Sequence, residues 1–167
     1  MKTISITTNS PQQTYYLAQT IGRLIAVGSV IAAYGGLGMG KTLFAQGLAK
    51  GINITENVVS PTFIFFSDYQ GDKPFCHIDA YRTEDLEQED IEQIGFSECF
   101  TKQKVTFIEW PLFIEYLLPT DTIKMTISRE DESNELSRRL QFRFDERHHP
   151  WLVTALERYL AAKENNK

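Results

Sequence analysis

Residues 30–42 read VIAAYGGLGMGKT, and this stretch decides the fold. Val30–Tyr34 is a continuous apolar run of strand length, which is typical of a strand covered on both faces within an α/β sheet. Gly35–Thr42 matches the phosphate-loop pattern G-x-x-x-x-G-K-[ST]. Lys41–Lys50, which includes the last two residues of this pattern, predicts a helix that Gly51 ends. The stretch therefore predicts a buried strand, a glycine loop and a helix in succession.

The residue types of this loop suit phosphate binding. Glycines allow positive φ angles and a close approach of the backbone to an anion. Successive backbone N–H groups, followed by the N-terminus of a helix, attract phosphate oxygens. In such loops the lysine, here Lys41, reaches the β- and γ-phosphates, and the hydroxyl of Thr42 holds Mg²⁺. The alternative is a glycine-rich turn between strand and helix that binds nothing.

Outward from the loop, strands and helices alternate along the chain, which predicts a single α/β domain over residues 1–162 and a polar tail over residues 163–167. Strands are predicted at Lys2–Thr7, Val30–Tyr34, Phe63–Tyr69, Lys73–Asp79, Val105–Ile108, Thr122–Ser128 and Leu136–Phe144. Helices are predicted from Ser10-Pro11 to Gly28, at Lys41–Lys50, at Glu84–Ile94, and from Pro150 onward. The late strands alternate strictly between apolar and polar residues, so they predict a half-exposed antiparallel hairpin.

Composition narrows the class of protein. The chain has 167 residues, 22 acidic and 17 basic side chains, and a net charge of −5. This balance argues against a free-standing nucleic-acid binder.

Cys76 and Cys99 are too few for a disulfide framework and are expected to be free thiols. The uncharged run at residues 24–40 is interrupted by glycines, and the N-terminus has no apolar leader, so we expect a cytoplasmic protein with no membrane contact.

A phosphate loop needs a second acidic residue to complete a Mg²⁺ site, usually at the end of an apolar strand. Glu109 follows Val105–Ile108, and Asp79 ends the strand that contains His77; both are candidates. His77 and Asp79 would share one strand face. Thr62, in the stiff segment Ser60-Pro61-Thr62, is a third candidate, because loop threonines sense the γ-phosphate in many nucleotide switches.

The nucleotide is predicted to be ATP. Asp68–Gly71 spells the D-x-x-G of GTPase switches, but it falls where a hairpin turn is expected. No guanine-reading N-K-x-D segment follows, since the nearest string, Thr101–Lys104, lacks the acid. No arginine-rich lid of a small-molecule kinase is visible either; Arg138 and Arg139 fall in the late hairpin. A small-molecule phosphotransferase and a nucleotide-sensing module without turnover remain the alternatives.

Four segments in this order resemble the bacterial TsaE (YjeE-type) family, the ATPase component of tRNA threonylcarbamoyladenosine biosynthesis. They are the phosphate loop, Ser60-Pro61-Thr62-Phe63, His77-Ile78-Asp79-Ala80-Tyr81-Arg82 and Ile108-Glu109-Trp110-Pro111. The resemblance covers residues 10 to 120. It implies a P-loop NTPase-like three-layer α/β domain with a central mixed sheet and a C-terminal antiparallel hairpin plus helix.

The resemblance also implies site residues. Lys41, Thr62, Asp79 and Glu109 would be catalytic, with Thr62 facing the γ-phosphate and Asp79 organising the attacking water or the metal shell. Thr42 and Glu109 would ligate Mg²⁺. Trp110 would lie near the nucleotide, and the strip Ser10–Thr14 would lie against adenine. The ATP phosphates would be held by the backbone of Gly36, Leu37, Gly38, Met39, Gly40, Lys41, Thr42 and Leu43.

The partners implied by the resemblance are TsaB and TsaD. The ATPase would bind their complex and reset it between turnovers, slowly when alone, and would meet tRNA only through that complex. The acidic run from Glu84 to Glu92 is either a solvated helix face or a surface that docks those partners.

Overall fold

The computed structural model describes residues 1–165, which form one sheet and its flanking helices. The strands are β1 (Lys2–Thr8), β2 (Val30–Tyr34), β3 (Phe66–Tyr69), β4 (Phe75–Asp79), β5 (Val105–Glu109), β6 (Ile123–Asp131) and β7 (Asn134–Phe144). The α-helices are α1 (Pro11–Leu24), α2 (Lys41–Gly51), α3 (Gln88–Ile94) and α4 (Pro150–Asn165), and the 3₁₀ segments are Tyr81–Thr83, Phe96–Cys99 and Pro111–Leu117.

The sheet has seven strands in the order β1-β7-β6-β2-β5-β4-β3. The four central strands, β6, β2, β5 and β4, are parallel, and the outer strands β1, β7 and β3 pair antiparallel to their neighbours. In register, Glu109 of β5 lies opposite Ala33 of β2 and Asp79 of β4. The ends of β2, β4 and β5 therefore meet at one edge of the sheet, where α/β proteins bind ligands.

Two apolar clusters cover the two faces of the sheet. On one face, Leu17 of α1, Phe44 of α2 and Leu156 of α4 belong to the cluster that packs on the strands. On the other face, Ile91 of α3 joins a smaller cluster with the two later 3₁₀ segments. This arrangement confirms the predicted three-layer α/β fold with a mixed sheet and a C-terminal hairpin and helix.

Close packing of α1 on α2 fixes the position of the helix that follows the glycine loop. A Cβ atom added to Gly47 would lie 2.6 Å from the Cβ of Ala18, and one added to Gly51 would lie 2.4 Å from the carbonyl oxygen of Gln19. These distances are far shorter than van der Waals contact. The two glycines therefore allow the backbones of α1 and α2 to approach each other. Larger residues at these positions would push α2 away from α1.

Local signals predicted the elements around the loop well. Ser10 caps α1 by accepting a hydrogen bond from the Gln13 amide at 3.2 Å, as an N-cap serine does. β2 covers Val30–Tyr34 as predicted and is buried along all but its last residue. α2 begins at Lys41 as predicted.

Two of the predicted boundaries that differ lie at the end of α1 and at the start of β4. α1 ends at Leu24 rather than at Gly28, which lies in the turn before β2 with a φ of +82°. β4 begins at Phe75 rather than at Lys73, because Pro74 has no N–H with which to continue the ladder.

The strand predicted over Phe63–Tyr69 begins only at Phe66. The Ile64 amide donates to the Pro61 carbonyl at 3.1 Å, which closes a turn. Phe65 has a φ of +68°, a conformation that a strand cannot contain. This turn excludes the first three predicted residues from the sheet.

The helix predicted over Glu84–Ile94 is α3, which begins only at Gln88. The chain first makes the tighter 3₁₀ turn Tyr81–Thr83, and Glu87 is extended with ψ of 156°. Gly95, with a φ of +86°, ends the helix as a left-handed cap. The acidic run therefore lies mostly on irregular backbone before the helix and on the helix's first turns.

Helix α4 begins at Pro150 as predicted and continues to Asn165, so residues 163–165 of the predicted tail are helical. Lys163 donates from Nζ to the Thr7 carbonyl at 2.8 Å, which fastens this end of the helix to β1. Residues 166 and 167 of the predicted tail lie outside the described residues. Across residues 1–165, no helix combines the length and the apolar character needed to cross a membrane.

The two cysteines are free thiols, as predicted, and both are buried. Although distant in sequence, they meet in the smaller apolar cluster, where a hydrogen bond to Cys99 and burial raise the pKa of the Cys76 thiol.

Candidate functional site

The glycine loop turns the chain sharply from β2 into α2. Gly38 and Gly40 have φ angles of +73° and +104°, which residues with side chains rarely adopt. A Cβ atom added to Gly36, Gly38 or Gly40 would meet no atom within 4 Å. The loop therefore faces open space, as a loop that receives a ligand must.

That space is a cavity of about 240 Å³ at the edge of the sheet. It is lined by Leu37, Gly38, Met39, Gly40, Lys41, Thr42, Leu43, Glu109 and Trp110. Seven of the eight residues predicted to bind phosphate thus line one cavity together with Glu109. The eighth, Gly36, contacts Lys41 through its carbonyl group.

Lys41 is folded back onto the loop. Its Nζ donates to the carbonyl oxygens of Gly35 at 2.6 Å and Gly36 at 2.8 Å, and lies 3.9 Å from the centre of the Trp110 ring. Burial lowers the pKa of the Lys41 ammonium, and the nearby charges of Glu109 and Asp79 oppose that effect. The two carbonyls, the Trp110 ring and these acids therefore stabilise the Lys41 ammonium group at the cavity.

Glu109 ends β5 and is buried beside the first turn of α2. Its Oε1 accepts hydrogen bonds from the Thr42 hydroxyl at 2.8 Å and from His77 Nε2 at 2.9 Å. Thr42 and Glu109, separated by 67 positions in the sequence, are therefore in direct contact. His77 lies on the same buried strand as Asp79, as the sequence pattern predicted.

Asp79 ends β4 next to Glu109, but its oxygens are already engaged. Oδ2 accepts from the hydroxyls of Ser60 at 2.6 Å and Thr62 at 3.0 Å, and Oδ1 accepts from the Tyr81 amide at 2.9 Å. The structure thus brings Thr62 and Asp79 together. In this conformation Thr62 contacts Asp79, and it is not among the residues that line the cavity.

Arg138 is a site neighbour that sequence reasoning did not identify. From β7, its Nε donates to the Met39 carbonyl at 3.0 Å, which holds the glycine loop against the late hairpin. With Pro11 and Thr14 of α1, it lines a second cavity of about 130 Å³ beside the loop. No local signal could have found this contact, because it depends on the position of β7 in the sheet order.

The side chains at the cavity suit a hard cation such as Mg²⁺. The Thr42 hydroxyl and the Glu109 carboxylate are oxygen donors within hydrogen-bond distance of each other. Among residues 1–165, no group of three or more His, Cys, Asp and Glu side chains could hold a metal alone. Mg²⁺ usually binds through one or two protein oxygens plus the phosphates of its nucleotide, so this sparse donor set fits it.

An exposed apolar rim lies along the segments that carry the site residues. Leu37 of the glycine loop is 86% exposed, and Phe63 and Ile64, which follow Thr62, are 81% and 66% exposed. Leu112, two residues beyond Trp110, is 66% exposed. We refer to these four residues as the apolar rim. Each of these large apolar side chains is exposed on a segment that also carries a residue of the site.

Comparison with known proteins agrees with this geometry. The family model for the threonylcarbamoyl adenosine biosynthesis protein TsaE matches residues 8–140. The chain is 37% identical over 139 residues to the tRNA threonylcarbamoyladenosine biosynthesis protein TsaE of Bacillus subtilis, covering 82% of this chain and 85% of that protein. It is 38% identical over 118 residues to TsaE of Treponema pallidum, covering 71% and 86%. The crystal structure of Bacillus subtilis YdiB superimposes with a TM-score of 0.78 at 29% identity, covering 95% and 96% of the two chains.

Proposed function

This chain belongs to the TsaE family of tRNA threonylcarbamoyladenosine biosynthesis proteins, and we propose that it is a Mg²⁺-dependent ATPase of that process. It would act as a nucleotide switch on a TsaB–TsaD complex, which modifies the adenosine next to the tRNA anticodon. The chain would reach tRNA only through that complex, consistent with its net charge of −5.

One observation carries this proposal: Lys41 and the Thr42–Glu109 pair line the same cavity as the glycine-loop backbone. The amides of Gly36–Leu43 would hold the ATP phosphates at the N-terminus of α2. Lys41 would exchange the carbonyls of Gly35 and Gly36 for β- and γ-phosphate oxygens. It would then neutralise charge that builds up on the phosphates as the terminal bond breaks.

Thr42 and Glu109 would hold Mg²⁺. When bound, the ion would supply positive charge that offsets the negative charge of the phosphates. The contact between the two side chains supports this assignment, because it brings a hydroxyl and a carboxylate to one point of the cavity.

Asp79 and Thr62 would act together on the attacking water. Oδ2 of Asp79 already accepts two hydrogen bonds, from Ser60 and Thr62, and Oδ1 accepts one from the Tyr81 amide. The Ser60–Thr62 loop would have to rearrange before Oδ2 could accept a bond from water and Thr62 could face the γ-phosphate. This requirement explains why we expect slow hydrolysis by the isolated protein.

The second cavity is the proposed site of the adenine ring. Pro11 and Thr14 line it from α1, and Gly38–Gly40 join it to the phosphate cavity. A base seated there would contact the strip Ser10–Thr14, in agreement with the family resemblance.

The exposed side chains of the apolar rim support the proposal that a protein partner binds next to the nucleotide. A partner that covers the rim would contact both the glycine loop and the loop of Thr62, and could thereby speed the rearrangement around Asp79. The acidic side chains of the run that begins at Glu84 are exposed: Glu84, Asp85, Glu87, Glu89, Asp90 and Glu92. These acids would steer a partner with a basic surface.

The first prediction separates an ATPase from a phosphotransferase on the same fold. When the isolated protein is incubated with Mg²⁺, γ-labelled ATP and a small-metabolite extract, we expect the label to appear as inorganic phosphate. Chromatography of the products measures where the label goes. Label in a metabolite would support a phosphotransferase instead, and ATP that binds without turnover would support a nucleotide-sensing module.

A further inference from the structure

His77 lies at the centre of β4 and is fully buried. Its ring contacts those of Phe75 and Phe107, with centroid distances of 6.4 and 5.8 Å. An apolar residue of similar size would suit this environment. The polar side chain therefore calls for an explanation beyond packing.

The partner of His77 supplies that explanation. Nε2 lies 2.9 Å from Glu109 Oε1, the same oxygen that accepts the hydroxyl proton of Thr42. A carboxylate oxygen can only accept, so Nε2 must carry the proton of this hydrogen bond. His77 is therefore a donor that acts on the carboxylate of the proposed Mg²⁺ site.

The other ring nitrogen of His77 lies in a different environment. Among residues 1–165, Nδ1 has no hydrogen-bond partner although it is buried. Within the described part of the chain, the His77 ring therefore makes its hydrogen bond to Glu109 alone.

We infer that His77 is a positioning residue that holds the Glu109 carboxylate in the orientation needed for Mg²⁺. This inference rests on the proposed function of the Thr42–Glu109 pair. The hydrogen bond from His77 fixes Oε1 from the sheet side, while Thr42 contacts it from α2. Without His77, Glu109 would keep its charge but lose one of the two bonds that orient it, as when a hydrogen bond behind a metal ligand is removed.

The test compares two substitutions of similar length. His77→Gln keeps a donor at the end of the side chain, whereas His77→Met has none. Calorimetry would measure ATP affinity in EDTA and across a Mg²⁺ titration, and steady-state hydrolysis would give kcat and KM. His149→Met is the matched control: among residues 1–165, His149 is also buried with one bonded and one unpartnered nitrogen, and it bonds to the Asp121 carbonyl rather than to Glu109.

Mg²⁺ is expected to tighten ATP binding, and the Mg²⁺ concentration that gives half of this effect is the quantity compared. For His77→Met we expect that concentration to rise about 10-fold or more, and kcat to fall by a similar factor. Affinity in EDTA should be unchanged. His77→Gln should restore most of the loss, and His149→Met should leave the Mg²⁺ titration as in the wild type.

An unchanged Mg²⁺ titration for His77→Met would overturn the inference, and so would equal losses in His77→Met and His77→Gln. A Glu109→Gln arm separates this failure from that of the proposed function. If Glu109→Gln also leaves the titration unchanged, the assignment of Glu109 to the metal site is wrong. If only Glu109→Gln changes it, Glu109 acts on Mg²⁺ without help from His77.

Discussion

Lys41→Ala is expected to abolish measurable ATP binding. The substitution removes the ammonium group at the floor of the cavity, which the phosphates would otherwise contact through charge-assisted hydrogen bonds. We expect affinity for MgATP to fall at least about 100-fold, which corresponds to about 2.7 kcal/mol. Isothermal titration calorimetry measures this directly.

Lys50→Ala is the matched control for this substitution, because Lys50 is an exposed lysine on the same helix. It should bind MgATP as the wild type does. Thermal unfolding of both variants checks that α2 is retained after the loss of the Lys41 contacts to Gly35 and Gly36. Unchanged ATP affinity in folded Lys41→Ala would refute the phosphate-loop assignment.

Glu109→Gln is expected to remove most Mg²⁺-dependent hydrolysis while leaving the fold intact. The amide keeps the size of the side chain but loses the charge that would attract the metal ion. We expect kcat to fall about 100-fold or more, equivalent to about 2.7 kcal/mol of transition-state stabilisation. A coupled phosphate-release assay at saturating ATP, run across Mg²⁺ concentrations, measures the loss.

Glu109→Ala should show the same loss of hydrolysis, with a lower melting temperature, because His77 and Thr42 lose their shared acceptor. Glu98→Gln, which alters an exposed acid on the 3₁₀ segment Phe96–Cys99, is the control and should keep full activity. If Glu109→Gln retains full activity, Glu109 does not belong to the metal site.

The sequence predicted those parts of the molecule whose causes are local. The serine cap of α1, the apolar run of β2 and the glycine loop each depend on residues a few positions apart. The predicted start of β3 was wrong because Phe65 adopts a left-handed conformation that residue propensities do not indicate. The predicted start of α3 was wrong because a 3₁₀ turn and the extended residue Glu87 precede the helix.

The residues of the candidate site also fall into those that the sequence predicts and those that only the structure reveals. Lys41 and Thr42 follow from the motif, and Glu109 and Asp79 follow from their positions at the ends of apolar strands. The contact of Glu109 with His77 depends on the register of β4 against β5, which the sequence does not reveal. The occupation of Asp79 by the Ser60–Thr62 loop likewise appears only in three dimensions.

The most direct test of the proposed function is phosphate release by the purified chain with and without purified TsaB and TsaD of the same organism. With Mg²⁺ and ATP, we expect the chain to co-elute with TsaB–TsaD and phosphate release to rise about tenfold or more, because a partner orders groups that the isolated site lacks. Lys41→Ala should show no such rise. A chain that neither co-elutes nor changes its rate of release would contradict the proposal that it is a switch on that complex.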